Sequence, residues 1–166
     1  MKNKIPSKGF KVSTPEDHVG YWLRYVSNNV AHSFSKKLEA SKVTVAEWII
    51  LRQMYETGRT SPGTVAEKTG LTRGAISKLI ARLLKKGLVT REESTKDHRF
   101  QEIKLTSKGK LLTPYLARIA DENDEYFFGN LSLQKRNNLI IFLKKVVKTH
   151  RLGNHFAIGD GKQIRV

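Results

Sequence analysis

The stretch Pro62-Gly-Thr-Val-Ala-Glu-Lys-Thr-Gly-Leu-Thr-Arg-Gly-Ala-Ile-Ser-Lys-Leu-Ile-Ala-Arg82 decides the fold of this chain. Ser61 precedes it as a candidate N-cap, and Pro62 can occupy the first helical position, where its missing N–H costs nothing. Gly70 can adopt a positive φ and turn the chain, after which Thr72 can cap a second helix. The spacing predicts two short helices joined by a glycine turn, which is the arrangement of a helix-turn-helix.

The second of these helices has an apolar face and a polar face. Ala66 is small enough to let the two helices approach, and Ile76 and Leu79 face their shared core. The residues pointing away from that core are candidate DNA contacts: Arg73, Ser77, Lys78 and Arg82. Because Arg and Lys on such a helix read guanine edges in the major groove, Arg73 and Ser77 are the candidate base contacts.

The starts of the two helices supply candidate phosphate contacts. Thr72 lies at the positive end of the helix dipole, where backbone N–H groups and a hydroxyl hold a phosphate. Ser61, the cap of the preceding helix, is a further candidate. The alternative is a helical hairpin whose charges are merely solvated, since surface helices are usually charged.

A change of period after Gly87 predicts a β-hairpin. Leu88–Arg91 and Gln101–Leu105 favour two short strands, and the connection from Glu92 to Arg99 is polar. Between Gly70 and Lys110 the chain has eleven Lys or Arg residues against four Asp or Glu residues. A basic helix-turn-helix followed by a basic hairpin favours DNA binding over solvated charge.

Amphipathic helices flank this unit on both sides. An apolar stripe from Val19 to Leu38 predicts a long first helix, and a capping box at Thr44–Glu47 starts a helix that runs to about Thr57. Helical pattern returns at Ser107, and Ser132 can cap a last helix. The prediction is a mainly α fold of six helices and one hairpin, a winged helix-turn-helix with N- and C-terminal dimerisation helices.

The composition narrows the class of partner. The 166 residues include 31 Lys or Arg against 15 Asp or Glu, which gives a formal charge of +16 and a pI near 10.2 and favours a polyanion. Cys is absent, which excludes disulfides, cysteine zinc sites and thiol redox sensing. No apolar run reaches the ~18 residues of a membrane span and the N-terminus lacks a signal-peptide pattern, so we expect a soluble, cytoplasmic protein.

The segment from Val43 to Leu112 resembles the multiple antibiotic resistance regulator (MarR) family. The resemblance rests on four motifs in order: Leu71–Leu79, Leu83–Val89, Asp97-His-Arg99 and Leu105–Gly109. It implies terminal helices that interleave between subunits, and a wing whose tip Arg99 enters the minor groove while an ion pair with Asp97 holds it. An A·T-rich minor groove attracts an inserted Arg. The alternative is a surface ion pair worth at most about 1 kcal/mol.

These features predict a DNA-binding transcriptional regulator, a ligand-responsive repressor that binds a pseudo-palindromic operator as a homodimer. A recognition helix over about 72–86 would lie in the major groove and a wing over about 88–105 in the minor groove. The predicted division is a flexible basic tail (1–15), an N-terminal dimerisation helix (16–43), the winged helix-turn-helix (44–110), C-terminal dimerisation helices (111–152) and a C-terminal tail (153–166). The alternative for the terminal helices is that they close the core of a monomer.

Five residues suit an aromatic, anionic effector: Tyr21, Trp22, Tyr25, Trp48 and Arg52. Aromatic residues at helical spacing are more often core, and no ligand is assigned. No cofactor, metal or catalytic residue is predicted, because no nucleotide-binding or hydrolase motif is present.

Two other regulatory or binding classes compete with this prediction. A metal sensor would use some of the five histidines together with acids such as Asp17 or Glu39. The histidines lack the spacing of metal ligands: His18, His32, His98, His150 and His155. A non-specific architectural DNA-binding protein would act through charge alone.

Overall fold

A computed structural model describes residues 12–93 and 101–152. This part of the chain forms six α-helices and a two-stranded antiparallel sheet. They are α1 (Val19–Leu38), α2 (Val45–Thr57), α3 (Pro62–Thr69), α4 (Arg73–Lys85), β1 (Val89–Glu93), β2 (Gln101–Leu105), α5 (Ser107–Phe128) and α6 (Leu133–Thr149). Short 3-10 turns lie at Pro15–Asp17 and Glu39–Ser41. The predicted mainly α fold with one hairpin is confirmed.

Helix starts follow the local chemistry of the sequence. The capping box at α2 forms: Thr44 Oγ1 accepts from the N–H of Glu47 at 3.2 Å, and a Glu47 oxygen accepts from the N–H of Thr44 at 2.9 Å. Ser61, Thr72 and Ser132 also accept from the N–H three residues ahead. Each cap satisfies a donor that the first helical turn leaves without an intrahelical partner.

The core lies where α2, α3, α4, the hairpin and the first half of α5 meet. Its fully buried side chains include Leu51 and Met54 from α2, Ile80 from α4, Ile103 from β2 and Leu116 from α5. The backbone of Thr60 exchanges two hydrogen bonds with Ile103, at 3.1 and 2.8 Å, and so extends the edge of the hairpin. The helix-turn-helix and the wing therefore share one hydrophobic core.

The first strand begins at Val89, one residue later than predicted, and extends to Glu93 rather than Arg91. Gly87 has a φ of +65°, its N–H donates to the carbonyl of Leu84, and the N–H of Leu88 donates to the carbonyl of Leu83. These two bonds form the Schellman motif that ends α4. Leu88 is therefore committed to the helix cap, and β1 then pairs with β2 from Val89 opposite Leu105 to Glu93 opposite Gln101.

The terminal helices extend away from this core. α5 is one continuous helix of 22 residues that contains Pro114, and only Leu38 of α1 is buried. α6 buries none of its residues. No helix in residues 12–93 or 101–152 has the length and apolar character needed to cross a bilayer. The predicted C-terminal tail and residues 1–11 of the predicted basic tail lie outside the described residues.

Candidate nucleic-acid interface

The outer face of α4 is polar and cationic. The four side chains predicted to point away from the core are all exposed: Arg73, Ser77, Lys78 and Arg82. The opposite face supplies four buried side chains: Ile76, Leu79, Ile80 and Leu83. Because packing fixes the apolar face against the core, the cationic face projects outward from a rigid element.

The turn before α4 sets the direction of this helix. Gly70 caps α3 in the left-handed region, with a φ of +69°. Ala66 is 8% exposed and Thr69 is buried, and the Thr69 hydroxyl donates to the carbonyl of Val65 at 2.7 Å. Small and internally satisfied residues therefore allow α3 and α4 to pack closely around the turn.

The predicted phosphate contacts lie at helix N-termini. Thr72 Oγ1 accepts from the N–H of Ala75 at 3.2 Å, and this threonine is exposed. Ser61 Oγ accepts from the N–H of Thr64 at 3.1 Å and lies 3.0 Å from the Thr64 hydroxyl. Ser61 is half-buried, so it is less accessible to a backbone phosphate than Thr72.

A buried ion pair fixes the C-terminal end of α4. The fully buried carboxylate of Glu47 accepts from Lys86 Nζ at 2.6 and 2.7 Å, and the same Nζ donates to the carbonyl of Lys42 at 2.7 Å. Burial raises the pKa of Glu47, but the hydrogen bonds from Lys86 and from the Thr44 backbone together bring that pKa below its ordinary value. The residue after the candidate recognition helix is thereby tied to the start of α2.

The start of α5 holds the same end of α4 from the other side. Lys108 Nζ donates to the carbonyl of Lys86 at 3.2 Å, and the Thr106 hydroxyl donates to the carbonyl of Gly87 at 2.8 Å. A Cβ at Gly109 would lie 2.1 Å from the carbonyl oxygen of Leu88. The close approach of α5 to the end of α4 therefore requires glycine at position 109.

Ion pairs across the part of the hairpin next to its loop stiffen the wing. Arg59 contacts Glu92 at 3.0 Å and Glu102 at 4.0 Å, and Lys104 contacts Glu92 as well. The hydrogen bond from Lys104 is the main reason that the pKa of Glu92 is lowered; partial desolvation opposes it, and the charges of Lys104 and Arg59 add to the lowering. The wing-tip residues Asp97 and Arg99 lie outside the described residues, so their predicted ion pair stays a prediction.

Sequence reasoning missed the contacts that hold α4 and the wing in place. It assigned Glu47 to a capping box and counted Lys86 as one more basic residue, and it gave Arg59 no role. Glu47 and Lys86 are 39 positions apart, and no local pattern indicates that such a pair meets. The capping box was the one available signal, because it fixes where the Glu47 carboxylate lies.

A family model described as the MarR family matches residues 41–99. This range includes α2, α3, α4 and the first strand of the wing, which together carry the interface described above. This segment of the chain is therefore similar to the MarR family.

Curated and solved proteins are similar to a larger part of the chain. The transcriptional regulator HosA of Escherichia coli O157:H7 is 24% identical over 118 residues, which cover 71% of this chain and 87% of HosA. A mutant of MarR from E. coli complexed with operator DNA superposes with a TM-score of 0.71 at 22% identity, over 78% of this chain and 93% of that one. BpsR of Bordetella bronchiseptica superposes with a TM-score of 0.73 at 23% identity, over 82% of this chain and 97% of BpsR. That structure concerns the regulation of BpsR DNA binding by 6-hydroxynicotinic acid. At these identities the solved structures establish the winged-helix fold.

A cleft between α2 and α5 includes two of the predicted effector residues. The cleft has a volume of about 460 Å³, and Trp48, Arg52, Tyr55 and Arg118 are among its lining residues. Trp48 is also core, being 9% exposed with its ring edge-on to Phe34. The structure therefore gives Trp48 and Arg52 a common cavity.

The other three predicted effector residues lie elsewhere. Tyr21, Trp22 and Tyr25 form an exposed aromatic group on α1, with ring centroids 5.3 to 6.4 Å apart. They do not line the cleft between α2 and α5.

The histidines of the metal-sensor alternative are scattered. Within residues 12–93 and 101–152, no three His, Asp or Glu side chains come together as a ligand set. His18 instead contacts the Ser13 hydroxyl at 2.8 Å. His98 and His155 lie outside the described residues.

Proposed function

We propose that this protein is a transcriptional regulator that binds a pseudo-palindromic DNA operator as a homodimer, with α4 in the major groove and the wing in the minor groove. The observation that carries the proposal is the exposed cationic face of α4, packed rigidly on the core of a domain similar to the MarR family. Relatives named as transcriptional regulators and a neighbour complexed with operator DNA support it. A helix of this kind is what the helix-turn-helix inserts into the groove.

The side chains of α4 divide the work of recognition. Arg73 and Ser77, in the first turns, reach base edges, where Arg bonds bidentately to guanine. Lys78 and Arg82 follow along the same face and neutralise phosphates. Thr72 holds a phosphate at the helix N-terminus, and Ser61 does the same for α3 at lower exposure. Specificity therefore comes from the first turns of α4, while affinity comes from the whole face.

The wing adds a second point of contact. Arg99 enters the minor groove beside the site read by α4, and Asp97 orients its guanidinium. The electrostatic attraction is strongest where A·T pairs narrow that groove. The pairs from Arg59 and Lys104 to Glu92 support this role, because they fix the strand ends from which the tip of the wing extends.

Exposed apolar residues on the terminal helices support a homodimer. On α1, Trp22 is 50% exposed and Leu23 45%, and on α6 Ile140 is 47% exposed and Phe142 55%. A monomer that exposed these side chains in water would carry an unusually large apolar surface, and a second copy presents the same helices to cover it. The lack of any buried residue in α6 argues against the alternative in which that helix closes the monomer core.

The cleft between α2 and α5 supports regulation by a small molecule. Arg52 and Arg118 line the cavity together with the aromatic side chains Trp48 and Tyr55 and the acid Asp121. Each arginine pairs with an acid on its own helix, Glu56 or Glu122, and an aromatic anion would compete with those acids for the guanidinium groups. α5 also contacts the end of α4 through Lys108 and Thr106. A ligand that shifts α5 would change the position of α4, with a coupling free energy of about 1–3 kcal/mol. We infer that the protein acts as a repressor that such a ligand releases.

Selection of bound sequences from a random duplex pool tests the function. The expected product is a two-fold-symmetric motif that binds at least a thousandfold more tightly than scrambled DNA at physiological salt, about 4 kcal/mol or more. The matched variant is Arg82→Ala, which removes charge but should leave the motif unchanged. Enrichment of no motif, with binding that depends only on salt, would favour the architectural alternative.

A further inference from the structure

Two regions of the sequence carry the largest excesses of positive charge. Residues 61–110, which contain the DNA interface, have 12 Lys or Arg and 5 Asp or Glu. Residues 133–166 have 8 Lys or Arg and one Asp. The proposed operator contacts account for the first excess and leave the second without a function.

The described part of the second region is α6 and the turn that follows it. Residues 133–152 contain six cations and no acidic residue: Lys135, Arg136, Lys144, Lys145, Lys148 and Arg151. Arg136 pairs with Glu125 at 2.7 Å. The other five have no salt bridge among the described residues, and all of them are exposed.

Three of these lysines share one side of α6. Lys144, Lys145 and Lys148 are spaced i, i+1 and i+4, so they project from the same side of the helix. Leu143 and Val146, which are half-buried, lie on the opposite side. Like charges at i, i+4 destabilise a helix when no acid compensates them. A polyanion against this side would reverse that cost.

We propose that the Lys144–Lys145–Lys148 side of α6 binds the phosphate backbone of a second DNA duplex, so that the dimer bridges two segments of DNA. The inference rests on the proposed function, because the dimer covers the side of α6 that carries Leu143 and Val146. The three lysines then face outward, with the exposed Ile141 between them. A surface of three lysines with a single apolar side chain fits a phosphate backbone better than a membrane, where an amphipathic helix must bury a continuous apolar face.

Geometry separates this surface from the operator. The base of the wing lies at the start of α5 and α6 follows its end, and the 22 residues of α5 span about 33 Å. Among the described residues, α6 packs closely against neither α4 nor the hairpin. A duplex bound to the three lysines is therefore expected to be a second one, and the operator affinity of the triple variant tests this separation.

A bridging assay tests the proposal. Beads carrying the selected operator duplex are loaded with the protein, and retention of a labelled duplex without the operator is measured over a range of salt. Wild type should retain the second duplex, and the triple variant Lys144→Gln, Lys145→Gln, Lys148→Gln should lose at least nine-tenths of that retention. In a plot of the logarithm of the binding constant against the logarithm of salt concentration, the slope should become shallower by about 0.9 for each phosphate that the variant no longer neutralises.

A matched control removes the same charge elsewhere. Arg24→Gln, Lys36→Gln, Lys37→Gln on α1 should retain the second duplex like wild type. Operator affinity at 0.15 M salt should change less than twofold in the α6 variant, and sedimentation should show it still dimeric. A monomeric α6 variant would overturn the proposal, because the lysines would then pair with acids such as Asp121 and Asp124 of the second copy.

Three further results separate the possible failures. Equal retention by wild type and the α6 variant, or none by wild type, would overturn the proposal. So would binding of wild type to phosphatidylserine-containing vesicles through these lysines without bridging of DNA. Bridging without operator preference would refute the proposed regulatory function and support DNA binding by α6. Operator preference without bridging would support the regulatory function and refute DNA binding by α6.

Discussion

Replacing Lys86 with Met removes the partner of a buried charge at the end of α4. The carboxylate of Glu47 has no solvent exposure, and Lys86 Nζ contacts both of its oxygens at 2.7 Å or less. Met matches the length of the lysine stem and keeps its packing. Because the backbone of Thr44 still donates to the carboxylate, the variant should fold, but with a charge that nothing neutralises.

The free energy of unfolding should fall by about 2–3 kcal/mol at pH 7. Breaking a fully buried ion pair by removing one partner costs about 3–5 kcal/mol, and we reduce this because the lysine side chain is 33% exposed and admits water. For a chain of this size the loss lowers the melting temperature by about 4–12 °C. Glu47→Gln should lose less, about 1 kcal/mol, because Gln retains the capping box.

The pH dependence distinguishes this cause from loss of packing. In wild type the pKa of Glu47 is lowered, so its stabilising contribution is complete above the ordinary value of 4.5 and is lost as pH falls through the folded value. Without Lys86, burial raises that pKa, so protonation stabilises the folded variant as pH falls. The loss of unfolding free energy in Lys86→Met, relative to wild type, should therefore be largest at neutral pH and should shrink below about pH 5.

Urea unfolding at a fixed protomer concentration measures these differences, since a dimer unfolds in a concentration-dependent way. The double variant Glu47→Gln, Lys86→Met should be more stable than Lys86→Met alone at pH 7. A loss below about 1 kcal/mol for Lys86→Met, or a deficit that is the same at pH 7 and pH 4.5, would refute the assignment of a buried, charge-compensated pair.

Four other predictions follow from the interface and the fold. Arg73→Ala should cost about 1–3 kcal/mol on the selected operator and relax one position of the motif, and unchanged selectivity would end its assignment as a base reader. Arg99→Ala should weaken binding most on sites with A·T-rich flanks, whereas an equal loss on G·C-rich flanks would reduce it to a phosphate contact. Gly109→Ala should lower stability by about 1–3 kcal/mol in urea unfolding, because its Cβ would meet the carbonyl of Leu88 at 2.1 Å, and wild-type stability would contradict that close approach. Leu139→Asp on α6 should shift the protein from dimer to monomer in sedimentation, and an unchanged mass would place the interface elsewhere.

Local chemistry made the helices and their caps predictable from the sequence. The caps at Thr44, Ser61, Thr72 and Ser132 form because each side chain meets a donor three residues ahead, within its own turn. Hydrophobic periodicity separated the buried from the exposed face of α4 for the same reason, since both are set by positions on one helix. The one-residue error at β1 arose because the Schellman motif at Gly87 uses the N–H of Leu88.

Contacts between distant segments were beyond such reasoning. Glu47 meets Lys86, and Arg59 meets Glu92, only because the core brings α2, α4 and the hairpin together. The cleft between α2 and α5 also depends on tertiary packing, although two of its residues, Trp48 and Arg52, were identified by side-chain chemistry. The sequence indicated which side chains suit a ligand. Tertiary packing places Tyr21, Trp22 and Tyr25 away from the cleft that Trp48 and Arg52 line.

Footprinting of the protein on its selected duplex tests the central claim most directly. Chemical probes of guanine N7 in the major groove and adenine N3 in the minor groove report where α4 and the wing lie. We predict two protected major-groove segments with centres about 10–10.5 base pairs or a whole multiple apart, each flanked by minor-groove protection, and loss of one guanine contact per half-site in Arg73→Ala. A single protected segment, or uniform protection that does not change in Arg73→Ala, would contradict a dimer that reads its operator through α4.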